Sequence, residues 1–233
     1  MGTEISGVIL MYFIVVALAI PLGRYIGKVY SYQRTFADKV FDPVDNLIFR
    51  FSRINPSLGM SWQQSLAAML TINLIWFLVS MFILMNMSWL PINPDGNPSM
   101  SADLAFNTSV SFVTNTNLQH YSGETGVSYL GQLILMLWQF ISAGTGMAIC
   151  AVVFIALKEK YTQKPGNFYS LFVRSCTRIL LPLALIGGTI LVFNGSPMTF
   201  DGKDSITTLE GATQEVSRGP VAAFVIIKQL GTN

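Results

Sequence analysis

The stretch Ser101–Thr125, SADLAFNTSVSFVTNTNLQHYSGET, lies between two long apolar segments yet is crowded with Ser, Thr, Asn and Gln. Between Asp103 and Glu124 there is no Asp, Glu, Lys or Arg, so its polarity comes from hydroxyls, amides and backbone carbonyls. Neutral oxygens of this kind suit a cation that must bind and then leave. Ser101 is placed to cap a helix running through Ala105 and Phe106 to Phe112, with Asp103 in the first turn where the helix dipole favours an acid. About a dozen helical residues reach roughly halfway across a hydrocarbon core of about 30 Å. The chain then turns back through Val113-Thr114-Asn115-Thr116-Asn117, with Gly123 permitting the exit. A re-entrant segment tolerates irregular backbone only where it is buried in protein or lines a hydrated cavity. The alternative is an extracellular loop with a polar capping sequence.

Working outward, the 233 residues are 52% hydrophobic and only 11% charged, a balance that fits a membrane protein better than a soluble domain. A net charge of +2 without a basic block argues against nucleic acid as a partner. Cys150 and Cys176 sit in or beside apolar segments without metal-ligand spacing and read as small packing residues. His120, the only histidine, lies in that stretch beside the Thr-Asn turn and is not expected to hold a metal or relay a proton. The chain contains no Gly-rich phosphate loop ending in Lys-Ser or Lys-Thr. Asp38-Lys39 is followed by Val40-Phe41 rather than the Thr-Gly of the phosphorylated aspartate in ion pumps, and is expected to lie in a solvated loop.

The expected fold is an all-α polytopic membrane protein with about four transmembrane helices. The first apolar run, Ile5–Leu22, is preceded by Glu4 and followed by Arg24 and Lys28, so it is expected to stay as a helix with its N-terminus outside, ending at Pro21. A second span is expected over Gln64–Trp89, closed by interfacial Trp89, with Asn73 available to bond a neighbouring helix. The third, Val127–Leu157, carries Ser142-Ala143-Gly144-Thr145-Gly146, read as a close-packing surface rather than an ion lining. Gln132 and Gln139, seven residues apart, share one of its faces, expected to point to protein rather than lipid. The fourth, about Asn167–Phe193, has Arg174 and Arg178 at its cytoplasmic side and Pro182 available to kink it. Lys and Arg cluster in the segments before the second span and at Lys158, Lys160 and Lys164, and none occurs from Pro91 to Leu157, so the polar stretch is expected outside.

The end of the chain repeats the pattern of the opening stretch. Ala105-Phe106, six residues, then Val113-Thr114-Asn115 is matched by Ala223-Phe224, six residues, then Gly231-Thr232-Asn233. Each copy follows an apolar span and an external loop, the signature of a helix, re-entrant pore loop, helix repeat. The reading divides the chain into an extra transmembrane helix (1–22), a cytoplasmic loop (23–63), a first complete repeat (64–157), a cytoplasmic loop (158–166) and the first half of a second repeat (167–233), whose pore loop is truncated at its filter.

The segments SVSFVTNTN, QHYSGET, EGATQEVSRGPVA and IKQLGTN resemble the potassium-binding, channel-like A subunit (KdpA) of the Kdp-type potassium-transporting ATPases, along the length of the chain. The resemblance implies four such repeats around one pore with an extra helix at each end, in a bacterial plasma membrane. It implies a non-hydrolytic subunit that binds potassium on the outer face, while a separate P-type ATPase subunit hydrolyses ATP and two small accessory subunits complete the assembly. Potassium is then the bound and transported ion, with no covalent cofactor. The first filter corresponds to Val113, Thr114, Asn115, Thr116 and Asn117, with Gln119 just outside it. The second corresponds to Gly231, Thr232 and Asn233, without the Gly-rich run that follows in relatives. The aromatic flank Phe106, Phe112 and Tyr121 is expected to pack the half-helix against the spans. With about one and a half of four units, the 233 residues are expected not to transport potassium alone, as a truncated reading frame or as a split subunit. The alternatives are a potassium transporter of the related Trk, Ktr or HKT type without ATP coupling, and a membrane scaffold, which would have no need of a repeated Thr-Asn turn.

Overall fold

A computed structural model describes residues 2–159 and 162–231. Among the described residues, four helices are long and apolar enough to cross a membrane: Glu4–Tyr30, Trp62–Leu84, Tyr129–Lys158 and Phe168–Phe193. The first lies in α1, Gly2–Tyr30. It runs through Pro21 rather than stopping there. Proline removes one backbone bond, but in an apolar setting every other backbone group is satisfied by continuing the helix, and the turn is carried on to Tyr30.

The expected solvated loop 23–63 instead contains a second helix, α2 (Asp38–Ser52), closed by Arg53 in the left-handed conformation. The reason is legible afterwards: Val40, Val44, Leu47 and Phe51 recur at helical spacing, and the acids Asp38, Asp42 and Asp45 recur on the opposite side. The second span, α3 (Trp62–Leu84), begins with a full capping box between Ser61 and Gln64. It ends five residues before Trp89, whose indole donates to Asn86 Oδ1 in the following turn. Asn73 Oδ1 is buried without a hydrogen-bond partner among the described residues, so the expected interhelical bond is not made through that oxygen.

The half-helix α4 (Ala102–Val113) follows, and then α5 (Tyr129–Lys158), whose first turn is capped by Ser128 accepting from Gly131 N–H at 3.1 Å. The fourth span is one continuous rod in three parts: α6 (Phe168–Arg174), a π-helical turn (Ser175–Leu180) and α7 (Leu181–Phe193). The irregular turn comes immediately before Pro182, where the ring obstructs regular bonding to the preceding turn. Asn167 caps α6 by accepting from Ser170 N–H and uses its own amide to bond Asn55 O and Leu58 O, tying the rod to the segment after α2. Beyond α7 the following loop forms a two-stranded antiparallel hairpin, β1 (Asp204–Thr207) and β2 (Thr213–Val216), a small exception to an otherwise helical fold. A second short helix, α8 (Val221–Gln229), then enters.

One apolar cluster, including Leu84, Met87, Phe112, Val127, Leu135 and Trp138, joins α3, α4 and α5 and takes in Phe224 of α8 at its edge. A second, with Ala68, Ala148, Ala151, Phe168 and Leu171, joins α3, α5 and α6. The half-helix α4 is thereby clasped by the spans before and after it. Its polar flank is keyed as well: Ser109 donates to Ser80 of α3 at 2.9 Å.

Candidate functional site

The segment after α4 is a turn whose geometry comes from two asparagines. Asn115 and Asn117 have φ of 61° and 54°, left-handed values that asparagine tolerates better than most side chains. Gly123, expected to open the exit, does not adopt a positive φ, so the asparagines bend the chain in its place. Ser101 occupies the N-cap position without bonding the backbone of the first turn. Its hydroxyl instead serves Asp103, whose carboxyl is held below the usual range by that bond and by nearby backbone N–H groups.

At the other end of α4 the last carbonyls are used to close the turn. Ser111 O accepts from both Thr116 N–H at 2.8 Å and Asn117 N–H at 3.1 Å, and Ser111 Oγ accepts from Leu118 N–H at 2.8 Å. Val110 O accepts from Thr114 N–H and from the Thr114 hydroxyl. Phe112 O accepts from Ser142 Oγ at 3.1 Å. The next carbonyls, those of Val113, Thr114, Thr116 and Asn117, accept no hydrogen bond from any described residue. A run of unspent carbonyls beyond the negative end of a helix dipole is a cation-favouring arrangement.

Side chains alternate along this run. Asn115 and Asn117 are buried, while Thr114 and Thr116 are exposed, their hydroxyls 3.0 Å apart. The buried pair forms the brace: Asn115 Nδ2 donates to Gln139 O at 3.1 Å and to Ser142 Oγ at 3.0 Å, and Asn117 Nδ2 donates to Asn115 Oδ1 at 3.1 Å. Ser142 therefore holds both Phe112 and Asn115. Sequence reasoning had assigned the Ser142–Gly146 run to packing alone. Gly144 does pack closely against Cys176 and Phe172, but Ser142 is a hydrogen-bonding support for the turn. Its only sequence signal was a hydroxyl among small residues on the helix that follows the loop. Gln139 is fully buried on the same helix, as expected of a protein-facing glutamine.

The second copy meets the first. Phe224 of α8 packs edge-on to Phe112 of α4 at 6.3 Å, and Gly231 sits so close to Asn115 that a Cβ there would lie 2.5 Å from Asn115 Oδ1. A side chain at Gly231 would therefore displace the Asn115 amide. Thr232 and Asn233 lie outside the described residues. Gln119 donates to the Tyr121 hydroxyl at 3.3 Å; burial pushes the Tyr121 phenol up to about 12, so it stays neutral at ordinary pH. These two line a small cleft of about 110 Å³ with Val221 and Phe224, between the two loops. Of the aromatic flank, Phe106 stacks edge-on against Phe77 of α3, and Phe112 and Tyr121 join the apolar cluster. His120 is exposed, and among the described residues no group of His, Cys, Asp or Glu is arranged to hold a metal ion. Both cysteines are free thiols.

Four apolar helices long enough to cross a membrane, with the short helices α4 and α8 meeting at Phe112 and Phe224, make this a mostly helical polytopic membrane protein. The family described as "Potassium-transporting ATPase A subunit" (KdpA) matches residues 9–233, and the chain belongs to that family. It is 57% identical over 233 residues to a protein of Flavobacterium johnsoniae, 58% over 233 to one of Flavobacterium psychrophilum, and 53% over 234 to one of Phocaeicola vulgatus. Each of these is named "Potassium-transporting ATPase potassium-binding subunit". In every case the whole of this chain is covered but only 41% of the relative, so the chain spans about two fifths of the length of the relatives it matches.

Proposed function

We propose that Val113, Thr114, Asn115, Thr116 and Asn117, with Gly231, Thr232 and Asn233 from the second copy, furnish part of a potassium-binding filter that faces the outer side of a bacterial plasma membrane. The observation that carries this reading is the row of unspent carbonyls at Val113, Thr114, Thr116 and Asn117, held in place by Asn115, Ser142 and Ser111. An ion shedding its water needs several oxygens at once. Thr114 and Thr116 turn their hydroxyls to the open side, where further repeats of a longer chain would supply the rest of the cage. Gln119 lies just outside as a positioning residue on the entry path.

In this reading the chain is non-hydrolytic. ATP is split by a separate P-type subunit, two small accessory subunits complete the complex, and the N-terminus lies outside. The absence of Lys and Arg from Pro91 to Leu157 supports that orientation. The test is Thr116→Asp in a full-length chain assembled with its partners. A fixed anion beside the carbonyls strengthens the binding of competing cations, so discrimination between potassium and sodium in ion-stimulated ATP hydrolysis should fall. Unchanged affinity and selectivity would remove Thr116 from the filter.

A further inference from the structure

The helix α2 carries three stripes. Asp38, Asp42 and Asp45 form one; at about 100° per residue, Val40, Val44, Leu47 and Phe51 fall on roughly the opposite side, and Lys39, Asn46 and Arg50 lie between them. The acidic stripe is paired to the protein, with Asp45 buried, Asp38 partly buried and Asp42 exposed. Arg178, 1% exposed in the π-helical turn, donates to Asp42 at 2.6 Å, to Asp45 at 2.7 Å and to Asp38. Thr177 adds a bond to Asp45 at 2.9 Å. The apolar stripe is exposed: Val40 is 64% exposed, Val44 43%, Leu47 55% and Phe51 81%.

The anchoring contacts decide where that stripe points. One end of α2 is held at Arg178, and the chain just past its other end is held at Asn167 through Asn55 O. Those two anchors lie eleven positions apart on the fourth span, roughly 16 Å along a helix axis. Both ends of this segment are therefore tied to the same span, and the stripe opposite the acids faces away from the protein. Exposed Phe36 and Trp62 flank it, as aromatic side chains do at an interface.

We propose that α2 is an interfacial helix: its Val40–Val44–Leu47–Phe51 stripe lies among lipid acyl chains, its Lys39 and Arg50 flank meets anionic lipid headgroups, and Arg178 holds its acidic stripe from behind. The occupant is lipid, because a helix joining two membrane spans within short connections is confined to the bilayer edge, and its cationic flank complements an anionic leaflet. The inference does not depend on the potassium reading; that reading's orientation only says that the leaflet is the cytoplasmic one.

The test uses spin labels on single cysteines at Val44, Leu47 and, for comparison, Asn46, in the full-length chain with Cys150→Ala and Cys176→Ala, reconstituted in vesicles of phosphatidylglycerol and phosphatidylcholine. Labels at Val44 and Leu47 should collide more with oxygen than with a water-soluble nickel chelate, at depths of about 5–10 Å, while Asn46 shows the reverse. The contrast should weaken in phosphatidylcholine alone, and that lipid dependence should vanish in Lys39→Gln/Arg50→Gln. Chelate access at Val44 equal to that at Asn46 would overturn immersion, and shielding of Val44 and Leu47 from both reagents would show a protein cover instead. No dependence on phosphatidylglycerol would overturn the headgroup contact.

Discussion

Asn115 illustrates how a single side chain sets the turn after α4. Its amide gives both donors to α5, its oxygen accepts from Asn117, and its backbone sits in the left-handed region. Asn115→Asp removes both donors and aims a carboxylate at Gln139 O, so it should lower the unfolding temperature in detergent well below that of Thr116→Asp, which changes an exposed side chain. Equal melting of the two variants would contradict the bracing role. Ser142→Ala, which strips the bond to Phe112 O, should cost about 1 kcal/mol and reduce potassium selectivity without altering expression. Gly231→Ala should do more damage than its size suggests, because the added methyl has no space beside Asn115 Oδ1.

Among the elements, α2 and the fourth span are coupled through one buried cation. Arg178→Leu leaves three carboxylates facing an apolar side chain, and losing one partner of a buried ion pair costs about 3–5 kcal/mol. Protease sensitivity between Asp38 and Ser61 should rise accordingly, and an unaltered digestion pattern would show that α2 is held by something else. The same cluster carries a pH dependence. Burial opposes ionisation of Asp38, but hydrogen bonds from Thr35 and the Arg178 charge outweigh it and hold its carboxyl below the ordinary range. A carboxyl whose folded pKa lies below its unfolded value of about 3.9 stabilises the fold fully above that value. Its contribution fades as pH falls through the depressed pKa, so the hold on α2 should weaken under acid, below about pH 4, and not on alkalinisation. Thermal melts from pH 3 to 8, with Asp38→Asn as the control, read this directly.

For the whole molecule, reporter fusions at Gly96 and Asp204 should read external and one at Lys39 cytoplasmic; a cytoplasmic signal at Gly96 would sink the re-entrant arrangement. Reconstituted by themselves, these 233 residues should give rubidium uptake no greater than empty vesicles. The reason is geometric: Thr114 and Thr116 face an open side, and a cage of oxygens cannot close from there. Selective uptake would show that fewer repeats suffice.

The four spans, the half-helix ending at Val113 and the second Ala-Phe copy were legible in the residues, because apolar length and backbone satisfaction in lipid leave few alternatives. The structure alone decided what depends on partners distant in sequence. Arg178 read as a boundary charge until three acids some 135 residues earlier were brought against it. Ser142 read as a packing residue until the turn of another element was laid on its hydroxyl, and the loop before Ser61 read as solvated until α2 was docked. Helical periods and hydropathy act locally along the chain, whereas an ion pair or a shared hydroxyl exists only once packing has chosen which surfaces meet.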